Sequence, residues 1–117
     1  MKAREGRVRA TSASGLPADV RALLVPGGVT LVQLSTTFCA PCRHTRALLS
    51  HLANRTEGLH HTELDLTDRP DLARELSVLR TPTTLAVDAG GTEILRIGGV
   101  PKRDELLDAL SPYLPSH

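Results

Sequence analysis

The sequence is poor in aromatic residues, in cysteine and in long apolar runs, and each shortage narrows what the chain can be. Aromatics make up 2% of the 117 residues and tryptophan is absent, so aliphatic side chains must build the core. Two cysteines are too few for a scaffold of several disulfides. Because no run of about 18 apolar residues occurs, we expect neither a membrane span nor a signal peptide in this sequence.

A strong charge of either sign is also lacking. The net charge is +1, so we expect no nucleic-acid partner. Basic residues cluster only near the start, and we interpret residues 1–6 as a solvated basic N-terminal arm. The alternative is that this arm is the membrane-proximal flank of a longer, membrane-anchored protein. Both interpretations are consistent with the cytoplasmic location that we expect.

Hydrophobic periodicity predicts one α/β domain over residues 7–114. The element order is β-α-β-α-β-α-β-β-α, which calls for a mixed central sheet of about five strands with about four helices on its two faces. The predicted strands are 7–11, 29–35, 59–66, 83–87 and 93–97. The predicted helices include 17–24, 39–54 and 101–112.

Two finer predictions concern the remaining helix and the last pair of strands. Asp68 is expected to cap a third helix whose residues Leu72, Leu76 and Leu79 face the core. Residues 88–91 read Asp-Ala-Gly-Gly, which predicts the turn of a β-hairpin.

The most informative feature is the pair Cys39 and Cys42, which follows a buried strand and opens a helix. A helix N-terminus favours a thiolate at Cys39, because unpaired N–H groups and the positive end of the helix dipole face it. Cys42 lies one turn later, where it can close a disulfide with Cys39. Pro41 suits the first turn, where no backbone N–H is needed. The spacing therefore predicts that Cys39 attacks a substrate disulfide and Cys42 then releases the substrate.

Metal binding through this pair and an inert structural disulfide are the competing interpretations. Zinc takes four ligands, usually as two close pairs. The sequence has no second Cys-x-x-Cys, and its histidines lack the usual spacing of a zinc-binding pair. We therefore predict a redox-active pair and no metal ligands.

Four motifs resemble the thioredoxin family and follow one another in the family's order. They are residues 38–43 (Phe-Cys-Ala-Pro-Cys-Arg), residues 63–70, residues 79–85 and Gly98-Gly99. The likeness covers residues 7–112. It implies the thioredoxin fold and thiol–disulfide exchange with no cofactor beyond the Cys39–Cys42 disulfide.

The resemblance also implies roles for individual residues. Cys39 is the nucleophile and Cys42 the resolving cysteine, and the Thr81–Pro82 bond is cis, an isomer that the residues alone leave open. Thr81 is expected to pair with an extended substrate beside Cys39. The other positions expected to contact substrate are Phe38, Ala40, Pro41, Gly98 and Gly99.

Three residues depart from the family pattern. Phe38 replaces the usual tryptophan and is expected to form an apolar lid over the site. Gln33 replaces a buried aspartate that can shuttle protons, and we expect it either to be a satisfied core residue or to order a water next to Cys42. Glu63 stands where a lysine is common, and a Gln33–Glu63 contact is a hypothesis. Arg43 and His44 are expected to face solvent.

The expected function is that of a monomeric reductase of protein disulfides. Ala40-Pro41 is similar to the Gly-Pro pair of reducing family members, and the resemblance implies a thioredoxin reductase as electron donor. One alternative is a redox-sensing or adaptor module with slow turnover. Another is a metal or iron–sulfur module that uses both cysteines.

Overall fold

A five-stranded sheet with strand order β1-β5-β4-β2-β3 organises the molecule. The structure is a computed structural model that describes residues 8–10 and 16–115. Strands β2 and β3 are parallel, and the other neighbours are antiparallel. The predicted mixed sheet is therefore confirmed. The strands are β1 (Val8–Ala10), β2 (Val29–Ser35), β3 (Leu59–Asp65), β4 (Thr83–Val87) and β5 (Glu93–Gly98).

Four α-helices alternate with these strands in the predicted order. They are α1 (Ala18–Arg21), α2 (Ala40–Arg55), α3 (Pro70–Glu75) and α4 (Arg103–Leu110), followed by a 3₁₀ turn, Ser111–Tyr113. The first and last α-helices are shorter than predicted. The predicted basic arm, residues 1–6, lies outside the described residues. Within residues 16–115, no helix is both long and apolar enough to span a membrane.

Two apolar clusters cover the two faces of the sheet. Helices α2 and α4 pack on one face, where buried residues include Leu49 and Leu106. Helices α1 and α3 pack on the other, where buried residues include Val20 and Leu72. Aliphatic residues supply the buried hydrophobic side chains of both clusters, as the shortage of aromatics predicts.

Strand β2 runs through the middle of the molecule and all seven of its residues are buried. Its side chains alternate between the two faces. Leu31 belongs to the cluster under α2, whereas Val32 and Leu34 belong to the opposite cluster. Gln33 therefore points toward α2. The chain leaves β2 at Ser35 and reaches Cys39 four residues later, so the sheet places the cysteine pair at the end of its central strand.

The third helix ends earlier than its apolar spacing suggests. Helix α3 stops at Glu75, and Ser77 has a positive φ of 57° that turns the chain away. Leu72 and Leu76 are buried, but Leu79 is 97% exposed, so its predicted inward position is wrong. The predicted Asp68 cap is also wrong, because the N-cap is Arg69 and no side chain caps this helix.

The predicted hairpin between β4 and β5 is confirmed. The Asp88 carboxylate accepts hydrogen bonds from the backbone N–H groups of Gly90, at 3.0 Å, and Thr92, at 2.9 Å. Gly91 has a φ of 88°, a conformation that suits glycine. This turn sends β5 back along β4 and brings Gly98 and Gly99 to the end of the sheet that holds the cysteines.

Candidate active site

Cys39 and Cys42 form a disulfide at the N-terminus of α2, with their Cα atoms 5.2 Å apart. Cys39 is the N-cap residue, and the Cys42 N–H lies 3.2 Å from its sulfur and 3.1 Å from its carbonyl oxygen. Pro41 lies in the first turn, as predicted. Cys39 is partly exposed and Cys42 is fully buried. Only the Cys39 sulfur is therefore accessible to an attacking group from solvent.

The loop before β4 packs against Cys39. The Thr81–Pro82 peptide bond is cis, as the resemblance implied. The Thr81 hydroxyl lies 3.8 Å from the Cys39 sulfur and 3.3 Å from the Thr36 hydroxyl. The sequence indicated only that Thr81 pairs with substrate, and this contact between the Thr81 side chain and Cys39 is an additional finding. The structure therefore brings Cys39, Thr81 and Pro82 together from two distant segments.

The two glycines after β5 lie beside the same loop. The Gly99 N–H donates to the Pro82 carbonyl at 2.8 Å, and Gly99 has a φ of 81° that favours glycine. A Cβ added at Gly98 would lie 3.6 Å from Cδ of Arg80. The stem of Arg80 therefore runs past this glycine. These contacts place Gly98 and Gly99 next to the cis proline, where the resemblance puts the edge of a substrate groove.

Phe38 does not cover the disulfide. Its side chain is 98% exposed, so the predicted apolar lid is wrong for this state of the molecule. Ala40 and Pro41 are also exposed on the first turn of α2. Arg43 and His44 face solvent, as expected. The residues directly flanking Cys39 in sequence are therefore exposed and apolar, with Phe38 before it and Ala40 and Pro41 after it.

A threonine pair holds the loop that leads into Cys39. The Thr37 N–H donates to the Thr67 hydroxyl at 2.7 Å, and the two hydroxyls are 2.9 Å apart. The Asp65 carboxylate accepts from both the N–H and the hydroxyl of Thr67. These bonds to Thr67 hold the pKa of Asp65 below its ordinary value. The loop is therefore tied to the end of β3 on the side opposite Thr81.

Gln33 lies directly behind the cysteine pair and is fully buried. Its Nε2 donates to the Cys42 carbonyl at 2.8 Å, and its Oε1 lies 3.0 Å from Nε2 of His61. The other ring nitrogen of His61 is 3.1 Å from the Ser50 hydroxyl. Gln33 is thus a satisfied polar residue, one of the two roles expected for it. The sequence did not identify His61 as a site residue, although the alternation of side chains along β3 places it on the face that α2 covers.

Gln33 and Glu63 are register partners on β2 and β3, so the hypothesised contact is that of neighbours on adjacent strands, whereas the hydrogen bonds of the Gln33 side chain go to Cys42 and His61. Glu63 instead binds Arg46 of α2 through two bonds, of 2.6 and 2.7 Å. It also accepts from the Ser35 hydroxyl at 2.5 Å. The hydrogen bonds from Arg46 hold the pKa of Glu63 below its ordinary value, and the bond from Ser35 acts in the same direction. Arg46 was not identified from the sequence.

His61 is the titratable group nearest to Gln33. Burial lowers its pKa, because desolvation disfavours the charged imidazolium. Arg46 lowers this pKa further, and Glu63 opposes both effects. The imidazole is therefore neutral at neutral pH.

Among residues 8–10 and 16–115, no group of three or more His, Cys, Asp or Glu side chains could hold a metal ion. In this state both cysteine sulfurs are committed to the disulfide. A sulfur that is bonded to another sulfur is not a thiolate ligand.

A helix-capping Cys-x-x-Cys disulfide beside a cis proline, on a mixed five-stranded sheet, defines the class of thiol–disulfide oxidoreductases with a thioredoxin fold. The thioredoxin family model matches residues 20–112, and the chain belongs to the thioredoxin family. A structural comparison shows the same fold. A mutant thioredoxin from Halobacterium salinarum superposes with a TM-score of 0.66 at 22% identity, covering 78% of this chain and 79% of that one.

Sequence relatives point to the same family. Thioredoxin H2 of Arabidopsis thaliana is 36% identical over 76 residues, which are 65% of this chain and 56% of the relative. A bifunctional thioredoxin reductase/thioredoxin of Mycobacterium leprae is 32% identical over 87 residues, which are 74% of this chain and 19% of the relative. The chain thus spans about half of the first relative and a fifth of the second. These relatives therefore support membership of the thioredoxin family.

Proposed function

We propose that the protein reduces disulfides in other proteins by cycling Cys39 and Cys42 between dithiol and disulfide. The observation that carries the proposal is the difference in solvent exposure between the two cysteines. Cys39 is partly exposed at a helix N-terminus, and Cys42 is fully buried one turn later. An accessible sulfur with a stabilised thiolate can attack, and an enclosed neighbour can complete the exchange.

The cycle has two exchange steps. The Cys39 thiolate attacks one sulfur of a substrate disulfide, forms a mixed disulfide with it and releases the other substrate sulfur as a thiolate. Cys42 then loses its proton to solvent and its sulfur bonds to that of Cys39, while the Cys39–substrate bond breaks and the second substrate thiolate leaves. The substrate gains two electrons, and the protein is left as the disulfide seen here.

The substrate is proposed to lie as an extended segment along the surface beside Cys39. Thr81 and Pro82 would form one side of its path, with Gly98 and Gly99 at the edge, and Phe38 would contact it from the other side. Ala40 and Pro41 are small or rigid, so they leave the Cys39 sulfur open. The support is geometric, because the cis-proline loop lies against Cys39 and Phe38 is exposed next to it.

A thioredoxin reductase is the proposed electron donor. The Mycobacterium leprae relative is by name a bifunctional thioredoxin reductase/thioredoxin, which supports this pairing by analogy. We further propose a cytoplasmic monomer whose domain covers residues 7–114, with no cofactor other than its own disulfide. Its reduction potential is then expected near −270 mV, the value typical of thioredoxin.

The first test is insulin reduction with a chemical reductant, alongside redox titration of the Cys39–Cys42 pair. Wild type should accelerate the reaction, and Cys39→Ser should abolish the acceleration. Cys42→Ser should still attack but should accumulate the mixed disulfide, which alkylation trapping and mass spectrometry detect. A potential well above about −200 mV would contradict the reductase and indicate an oxidant or isomerase. Reversible disulfide formation without insulin turnover would indicate a redox sensor instead.

A further inference from the structure

The hydrogen-bonded chain behind the disulfide runs without a break from helix α2 through two strands and back to α2. It connects Ser50, His61, Gln33 and the carbonyl of Cys42 over distances of 3.1, 3.0 and 2.8 Å. Gln33 and Cys42 are fully buried. A buried polar chain that is fully satisfied fixes one arrangement of its members, because each broken link leaves a group without a partner.

The contacts determine the direction of every bond in this chain. Gln33 donates through Nε2 to the Cys42 carbonyl, so its Oε1 must be the atom that faces His61. Only a hydrogen on Nε2 of His61 can satisfy that oxygen. The neutral ring then has an unprotonated Nδ1, which accepts from the Ser50 hydroxyl. All three donors therefore point toward Cys42.

We propose that His61 is a positioning residue for Cys42 that acts through Gln33, an inference that rests on the proposed disulfide exchange. If the Gln33 amide group were rotated by about 180°, its oxygen would face the Cys42 carbonyl and its NH₂ would face the N–H of His61. Both of these contacts would be repulsive. His61 thus holds the amide with its positive end toward Cys42. That hydrogen bond fixes the Cys42 backbone in the first turn of α2, from which the Cys42 sulfur must reach Cys39 in the resolving step.

The charges around His61 are consistent with a neutral donor. Glu63 on the same strand favours the imidazolium, Arg46 on α2 opposes it, and burial opposes it most. Strand β2 contributes no charged side chain, because its residues are Val, Thr, Leu, Val, Gln, Leu and Ser. Glu63 is in turn occupied by Arg46 and Ser35.

The two exchange steps can be timed separately with a symmetrical aromatic disulfide whose thiolate product absorbs visible light. When one equivalent reacts with the reduced protein, the first equivalent of product reports attack by Cys39 and the second reports resolution by Cys42. In His61→Leu the first rate should stay within about twofold. The second should fall by roughly threefold to tenfold, the rate equivalent of one neutral hydrogen bond.

Two further variants separate positioning from general damage to the fold. In His61→Gln the new amide reaches as far as the imidazole Nε2 and can donate to Gln33, so the second rate should recover. His60→Leu is the matched control. His60 is the neighbouring histidine, bonded instead to the Gly27 carbonyl at 2.9 Å, and its loss should leave both rates unchanged.

Equal second rates in wild type and His61→Leu would overturn the proposal, as would a parallel loss of both rates or a failure of His61→Gln to recover. If His61→Leu does not fold, Ser50→Ala supplies the same comparison. It removes the bond that keeps Nδ1 unprotonated, and an unchanged second rate there would also overturn the proposal. If wild type itself releases no second equivalent, the proposed function fails instead, whatever the variants do.

Discussion

Glu63 shows how one side chain on β3 ties the site together. Its carboxylate binds Arg46 of α2 at 2.6 and 2.7 Å and accepts from Ser35 at the end of β2. It therefore joins three elements next to the loop that leads to Cys39. Its side chain is 26% exposed and that of Arg46 is 45% exposed, so solvent screens part of the attraction.

This arrangement predicts a loss of stability in acid. The pKa of Glu63 is lowered from 4.5 by its hydrogen bonds to Arg46 and Ser35. The unfolded chain therefore takes up this proton first as pH falls. The stabilisation is complete above pH 4.5 and disappears as pH drops through the lowered native pKa. The stabilisation from this source should be modest, since Arg46 is exposed and solvent screens the pair.

Urea unfolding between pH 7 and pH 3 checks this expectation. Glu63→Gln should unfold more easily at neutral pH and should lose less stability than wild type on acidification. The control is Glu75→Gln, which changes an exposed residue at the end of α3 and should keep the wild-type slope. If Glu63→Gln shows the same acid slope as wild type, the carboxylate does not have the assigned role.

Helix α3 shows how an element can end before its sequence pattern does. Leu72, Leu76 and Leu79 keep a helical spacing, yet the chain turns at Ser77, and Arg96 of β5 donates to the Leu76 carbonyl at 2.6 Å. Leu76 is 4% exposed and Leu79 is 97% exposed. Leucine is therefore buried at position 76 and exposed to solvent at position 79.

Alanine substitutions at these two leucines should differ sharply. Leu76→Ala leaves a cavity in the core and should cost about 2–5 kcal/mol of unfolding free energy. Leu79→Ala changes an exposed side chain and should stay within about 0.5 kcal/mol of wild type. Chemical denaturation of the two variants measures both values. A cost at Leu79 similar to that at Leu76 would mean that the helix continues and Leu79 is buried.

The molecule as a whole consists of two apolar clusters on opposite faces of one sheet. Val20 of α1 is fully buried on one face, and Ile97 of β5 is fully buried on the other. The sheet lies between them, so a small cavity at one site should not relax into the other. Substitutions at sites without shared neighbours usually add in their effect on stability.

We therefore expect the costs of Val20→Ala and Ile97→Val to add. Val20→Ala should lower the unfolding free energy by about 1–2 kcal/mol and Ile97→Val by about 0.5–1.5 kcal/mol. The double variant should equal their sum within about 0.5 kcal/mol. A double-mutant cycle from urea titrations gives the coupling energy. A coupling energy clearly larger than about 0.5 kcal/mol would show that the two faces of the sheet repack together. The single variants should each retain a single cooperative transition.

Local patterns in the sequence were sufficient for the order of helices and strands along the chain, the mixed sheet, the hairpin at residues 88–91 and the Cys39–Cys42 pair, because spacing along the chain decides each of them. Two cysteines three positions apart at the start of a helix must lie close together, whatever the rest of the chain does. The cis bond before Pro82 followed only from the family resemblance, since a proline's position alone does not determine its isomer.

Tertiary structure decided which side chains meet across the sheet and where helix α3 ends. The pairing of His61 with Gln33 depends on the register of β2 against β3 and on the placement of α2 above them, neither of which a linear pattern encodes. The Arg46–Glu63 pair depends on the same packing. Phe38 and Leu79 are exposed although apolar residues usually favour burial, because burial depends on which elements cover a position and not on residue type alone.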